Sequence, residues 1–242
     1  MSELSSGTFE RGFPTDWRIR PANFVQFDWC AHTRNMVHLW LPEGVMTADE
    51  RPLFILSEEA DFAFKRVGDE HWVHTFTKPD TLGLHAEYCA IPDGVSISLE
   101  VTNLTDRTWP NVTAGVCAQL AAAPDFVDLA LERTFAVSEG ELVPMAQPVR
   151  EGLVHHYGSS ATATENFIAV NSRKSGFVVA KWWEGEPVGV AGNCHGSIAC
   201  IHAPPGYGAL EPGKSAKRTG GLYFMPGDVE DALRRYRAEA TG

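Results

Sequence analysis

Residues 198–224 read IACIHAPPGYGALEPGKSAKRTGGLYF, and this stretch decides the fold. An extended run ends in His202, a Pro/Gly-rich loop follows, and the chain returns through residues 215–224. Side chains alternate along a strand with period two. Ile198, Cys200 and His202 therefore share one side, and Ala199, Ile201 and Ala203 the other. The imidazole emerges at a strand end beside a loop, and loops carried on a rigid sheet are the usual place for binding and chemistry. The structural alternative is a hydrogen-bonded packing histidine. Ahead of the closing strand, Glu211-Pro212-Gly213-Lys214 is a strong turn signal.

The same grammar repeats upstream. Residues 23–41, NFVQFDWCAHTRNMVHLWL, predict a hairpin around a polar turn at 33–35, closed at 42–44. Short strands are expected over 52–56, 62–67 and 71–76, broken by Gly68-Asp69 and Pro79-Asp80. Residues 81–90 and 95–102 form the clearest hairpin, with Gly94 supplying the positive φ of its turn. A further strand covers 112–120, while Gly140, Pro144 and Pro148 make 129–156 a decorated loop with short strands. Residues 166–171 and 177–183 form another hairpin ending in Trp182-Trp183, and a loop over 184–196 carries Asn193, Cys194 and His195. One helix ends the chain, capped by Asp228 with Asp231 three residues on, and striped by Val229, Ala232, Leu233 and Tyr236. Many short strands against one helix predict an all-β fold, a large antiparallel β-sandwich with one C-terminal helix, as a single domain over residues 1–242.

Composition bounds the partners. The 242 residues carry a formal net charge of −11, which repels phosphate backbones and anionic lipid surfaces, so neither nucleic acid nor membrane is an expected partner. The expected partner is a small-molecule or oligosaccharide substrate, with a homo-oligomer left open. The first residues lack the charged start and apolar centre of a secretory signal, and no stretch approaches the ~18 apolar residues of a membrane span. The 5 cysteines are odd in number and widely spaced, which suggests neither a disulfide framework nor a zinc knuckle. A reduced, cytoplasmic protein is the expectation.

Two stretches resemble a known family. VTNLTDRTWPNVTAGVCAQL, residues 101–120, resembles the V-T-N strand, polar turn and following strand of the galactose mutarotase-like supersandwich proteins. CIHAPPGYGALEPGKSAKRTGGLYF, residues 200–224, resembles their late strand, proline loop, P-G turn and closing strand. The resemblance covers about half the chain. It implies a large antiparallel sandwich with a carbohydrate-sized concave surface and, in aldose epimerases, a histidine acid and a glutamate base. Cys117 stands at the position of that histidine and His202 at that of the glutamate, so the resemblance does not imply a simple aldose 1-epimerase. A thiol with its usual pKa near 8.5 is no substitute for an imidazolium.

The candidate site is a convergence of polar strand faces. His85 and Glu87 lie on one side of a strand, roughly 7 Å apart by strand rise, and His202 and Gln119 add a second imidazole and an amide. His85, Glu87, Gln119 and His202 would then hold one divalent ion, Zn, Mn or Fe, acting as a Lewis acid on a sugar or uronic acid in a lyase or isomerase reaction. A metal-free alternative uses Glu87 as base and His202 as acid, with His85 beside them. A further alternative is a non-catalytic carbohydrate-binding or subunit-contact sandwich. Trp182 or Trp183 could supply a sugar-stacking platform, with burial of both in the core as the alternative, and His156 and Tyr157 could line the cleft. The structural alternative for His85 and Glu87 is a solvated cross-strand pair.

Overall fold

The computed structural model describes residues 15–19, 25–29, 35–49, 52–55, 64–146, 155–160, 163–174, 176–195 and 198–240, with the side chains of 15–19, 25–29, 55, 155–160, 193–195 and 198 left aside. In chain order the first strands are β1 (Thr15–Ile19), β2 (Val25–Trp29), β3 (Met36–Met46), β4 (Pro52–Ile55), β5 (Lys65–Gly68) and β6 (His71–Lys78). The next are β7 (Leu82–Ile91), β8 (Gly94–Asn103), β9 (Trp109–Gln119), β10 (Thr134–Ser138), β11 (Glu141–Pro144) and β12 (His155–Ser160). The last are β13 (Phe167–Asn171), β14 (Phe177–Trp183), β15 (Val190–His195), β16 (Ile198–His202), β17 (Gly206–Leu210) and β18 (Ser215–Pro226), followed by helix α1 (Val229–Ala240).

Two antiparallel sheets result. The first runs β1-β2-β3-β9-β16-β15-β12, with β17 also on β9 and β4 also on β3. The second runs β11-β10-β13-β14-β18-β8-β7-β6-β5. Alternation aims one face of each sheet at the other. Val37, Leu39, Val116, Ala118, Ala199 and Ile201 of the first sheet share one apolar core with Leu84, Ala86, Ile97, Leu99, Val179, Leu222 and Phe224 of the second. Each large aliphatic side chain buried there contributes about 1.5–3 kcal/mol of transfer free energy.

The expected all-β sandwich with one terminal helix is what the chain forms. Helix α1 lies on the outer face of the second sheet, where Val229, Ala232, Leu233 and Tyr236 meet Phe167, Ala180, Trp182 and Tyr223. Asp228 Oδ1 accepts from the Glu230 and Asp231 amides at 2.9 and 3.1 Å, and Asp231 Oδ2 accepts from the Asp228 amide at 3.2 Å. That reciprocal pair is the capping box expected from sequence. Among the described residues no helix is long and apolar enough to cross a membrane.

Local expectations are corrected at three places. Residues 42–44 do not close a hairpin, because β3 runs on to Met46 and absorbs Pro42 in a register irregularity between Trp40 and Gly44. Residues 190–195 are not a loop: β15 is a strand between β12 and β16, so Asn193, Cys194 and His195 lie within a sheet. The proline-containing stretch after His202 carries β17, which pairs with β9. The turn residues expected at 33–34 and the first part of the strand expected at 62–67 lie outside the described residues.

Candidate functional site on the first sheet

His202 ends β16, and its side of that strand is the outer face of the first sheet, away from the core that takes Ala199 and Ile201. Register then decides its neighbours. On β9, Cys117 stands opposite His202 and Gln119 opposite Cys200. On β3, Trp40 stands opposite Cys117 and His38 opposite Gln119. Opposed residues of an antiparallel pair lie on the same face. The face therefore carries two transverse rows, His38-Gln119-Cys200 and Trp40-Cys117-His202.

The rows are physically joined. His38 Nδ1 donates to Gln119 Oε1 at 3.3 Å. The sulfurs of Cys117 and Cys200 and a ring nitrogen of His202 all lie within 4.8 Å of one another. Cys117 and Cys200 are buried, while His202 is half-buried. The His202 Nε2 is itself buried and has no hydrogen-bond partner among the described residues. A hydrogen bond with Cys200, reinforced by burial, pushes the Cys117 thiol well above its ordinary pKa. Burial pushes the His202 imidazole down to about 3, with the nearby Lys181 charge adding to the effect. The imidazole is thus neutral near pH 7.

Lys181 reaches this region from the other sheet. It lies on β14 with no exposed surface, and its Nζ donates across the interior to the Val116 carbonyl of β9. Val116 falls in the gap of the β3–β9 register, between the Trp40–Cys117 and Gly44–Gly115 pairs. Burial lowers the Lys181 pKa to about 7, opposed by the neighbouring Cys117, Glu43 and Cys200.

The sequence-derived constellation does not assemble. His85 and Glu87 lie on β7 of the second sheet, facing outward, whereas His202 and Gln119 lie on the outer face of the first, with the apolar core between them. No ion can bridge His85, Glu87, Gln119 and His202, and Glu87 and His202 cannot act as an acid–base pair on one sugar. The reason is topological: β7 pairs with β6 and β8, while β16 pairs with β9 and β15. Glu87 instead accepts from His71 Nε2 and His85 Nε2, each at 3.0 Å, and from Lys217 Nζ at 3.1 Å. Burial alone would raise the Glu87 pKa, but the hydrogen bonds from Lys217, His71 and His85 hold it below its ordinary value. Thr75 Oγ1 sits 3.1 Å from His85 Nδ1 and fixes the ring from its other side.

For the two tryptophans the core alternative holds and the sugar-stacking platform does not. Trp182 packs under the helix, its ring 5.4 Å from that of Tyr236, and is 6% exposed. Trp183 is 0% exposed in the inter-sheet core. Neither can stack on a sugar. The side chains of His156 and Tyr157 lie outside the described residues, although Tyr157 pairs with Asn193 and Asn193 with Cys200, which places position 157 in register with the His38 row. Sequence reasoning missed His38, Trp40 and Cys200 at the first sheet, Lys181 reaching toward them from the second, and His71 beside Glu87. The alternation Val37-His38-Leu39-Trp40 and the single lysine within FVVAKWW were the available signals.

No family model matches the chain, and no curated protein does. Solved structures are similar over most of its length. The galactose mutarotase related enzyme from Lactobacillus acidophilus has a TM-score of 0.59 at 13% identity, covering 91% of this chain and 97% of that one. A galactose mutarotase-like protein from Clostridium acetobutylicum has a TM-score of 0.55 at 10% identity, covering 93% and 95%. The aldose epimerase homologue from C. elegans has a TM-score of 0.53 at 10% identity, covering 93% and 100%. These likenesses define the class by fold alone, a large antiparallel β-sandwich. Within it the architecture is galactose mutarotase-like, as residues 101–120 and 200–224 foreshadow.

Proposed function

We propose that the protein takes a small sugar on the outer face of its first sheet, over His38, Trp40, Gln119 and His202, and acts on it as an isomerase. The observation that carries this reading is the pair of adjoining rows themselves, which bring an indole, an amide and two imidazoles to one face. Sugars need a flat apolar surface for their C–H face and fixed polar groups for their hydroxyls, and such sites are built from a few polar groups on an apolar lining. The likeness of fold to a galactose mutarotase related enzyme and to an aldose epimerase homologue supports the substrate class.

In this reading the neutral His202 accepts a hydrogen bond from a sugar hydroxyl, and the Gln119 amide, steadied by His38, orients the ring. The metal-assisted lyase or isomerase chemistry expected from sequence loses His85 and Glu87 as ligands, since both lie on the other sheet.

A second reading, carbohydrate binding without turnover, is favoured by one observation. The Cys117 thiol is pushed up and the His202 imidazole down, so neither group exchanges a proton readily near neutrality. Calorimetry with neutral monosaccharides and uronic acids, combined with NMR exchange between anomers or isomers, decides. Binding and turnover both lost in His202→Ala and Gln119→Ala support the isomerase. Binding without turnover selects the second reading, and no binding to any sugar overturns both.

A further inference from the structure

We infer that Cys117, Cys200 and His202 form a binding site for a thiophilic d10 cation, Zn2+ or Cu+. The argument begins with placement. The three side chains come from two adjacent strands, as a directly opposed pair, Cys117 and His202, plus its diagonal neighbour Cys200. A paired sheet holds such positions rigidly, so the donor set exists before any ion arrives. Its three donor atoms lie within 4.8 Å of one another. Donors around an ion with metal–sulfur bonds of about 2.3 Å and metal–nitrogen bonds of about 2.0 Å stand roughly 3.5–3.8 Å apart. Closing that gap takes a shift of about 1 Å at the donor atoms.

The chemistry of the donors selects the ion. Two thiols and an imidazole are soft or borderline ligands, matched to Zn2+ and Cu+ rather than to Mg2+ or Ca2+, which demand oxygen. The His202 Nε2 is buried and has no hydrogen-bond partner among the described residues. Two thiolates with Zn2+ sum to zero, and with Cu+ to −1. Three protein donors leave one tetrahedral position for solvent or a ligand. The inference rests on donor geometry and shares only His202 with the sugar reading, so loss of metal in Cys117→Ser and Cys200→Ser tests it separately from sugar binding.

The test uses reduced full-length protein purified without affinity-tag nickel and stripped by a chelator. Zn2+ is titrated against a chromophoric chelator and Cu+ against a Cu+-specific one under anaerobic conditions, which separates the two cations. Co2+ serves as a spectroscopic stand-in for Zn2+. The expected result is one equivalent bound, thiolate-to-cobalt charge transfer in the wild type, and affinity at least tenfold weaker in Cys117→Ser, Cys200→Ser and His202→Ala. Glu87→Gln leaves the affinity unchanged. Circular dichroism checks the fold of each variant, and the wild-type cobalt spectrum identifies thiolate ligation even where a variant unfolds. Failure of both cations to compete, or a stoichiometric site without thiolate charge transfer, overturns the inference. So does rapid conversion of Cys117 and Cys200 to a disulfide that Zn2+ does not prevent.

Discussion

Asp125 shows how one side chain anchors a connection at the end of a sheet. It is 2% exposed, accepts from Asn35 Nδ2 and Lys174 Nζ, each at 2.9 Å, and from Arg173 Nε at 3.3 Å. Burial alone would raise its pKa, but Asn35, Lys174 and Arg173 together hold it at about 2. A carboxyl depressed by folding stabilises the native state above its unfolded pKa, and that contribution is lost as pH falls through the folded value. Wild type is therefore expected to exceed Asp125→Asn in stability by about 1–2 kcal/mol at pH 6, because the two basic partners are solvent-exposed and screened. The difference shrinks between about pH 4 and pH 2, as denaturant unfolding at pH 6, 3 and 2 will show. Glu87 contrasts with it. Its partner Lys217 is 49% exposed, so Lys217→Met should cost under about 1 kcal/mol and leave sugar binding on the other sheet unchanged. A loss of sugar affinity in that variant would contradict the assignment of the site to the first sheet.

At the scale of elements, the β7–β8 turn and the terminal helix carry sharp local rules. Gly94 has φ of 151°, and a Cβ placed there would meet the Leu222 carbonyl group and, at 2.9 Å, the Tyr223 Cα of the adjacent β18. Gly94→Ala should cost about 2 kcal/mol or more, because backbone on a central strand must move to admit a methyl group. An unaltered melting temperature would refute this close approach. Removing the helix cap in Asp228→Ala should cost about 1 kcal/mol, measurable as the shift in denaturation midpoint. Both features were legible in the sequence, since Pro92-Asp93-Gly94 names a turn and Asp228 with Asp231 names a helix start. Less legible was β15, because Val190–His195 contains glycine and asparagine that read as loop chemistry, yet the strand is held by β12 on one side and β16 on the other.

Across the whole molecule, Lys181 ties the two sheets together through the Val116 carbonyl. Lys181→Ala removes a buried four-carbon stem and the donor to that carbonyl, and should cost about 3 kcal/mol or more by combined cavity and hydrogen-bond losses. Lys181→Met keeps the volume and should recover most of the packing contribution. Equal losses in the two variants, read from thermal unfolding, would mean that the hydrogen bond rather than the stem dominates. Its charge also acts on His202 and Cys117 through the sheet, second to burial at His202.

Period-two alternation, turn chemistry and a capped amphipathic stripe lie within short windows of sequence, and they were enough to determine an antiparallel all-β chain with one final helix. Which strands become neighbours was decided only in three dimensions. His85 and His202 each occupy a polar position of a well-read strand, but β7 is zipped to β6 and β8 while β16 is zipped to β9 and β15. Alternation tells a side chain which face of its strand it occupies and nothing about which sheet that strand will join. That choice belongs to pairing between distant segments and to the shared core, and it carried Cys117, Cys200 and His202 together while placing Glu87 on the far side of the sandwich.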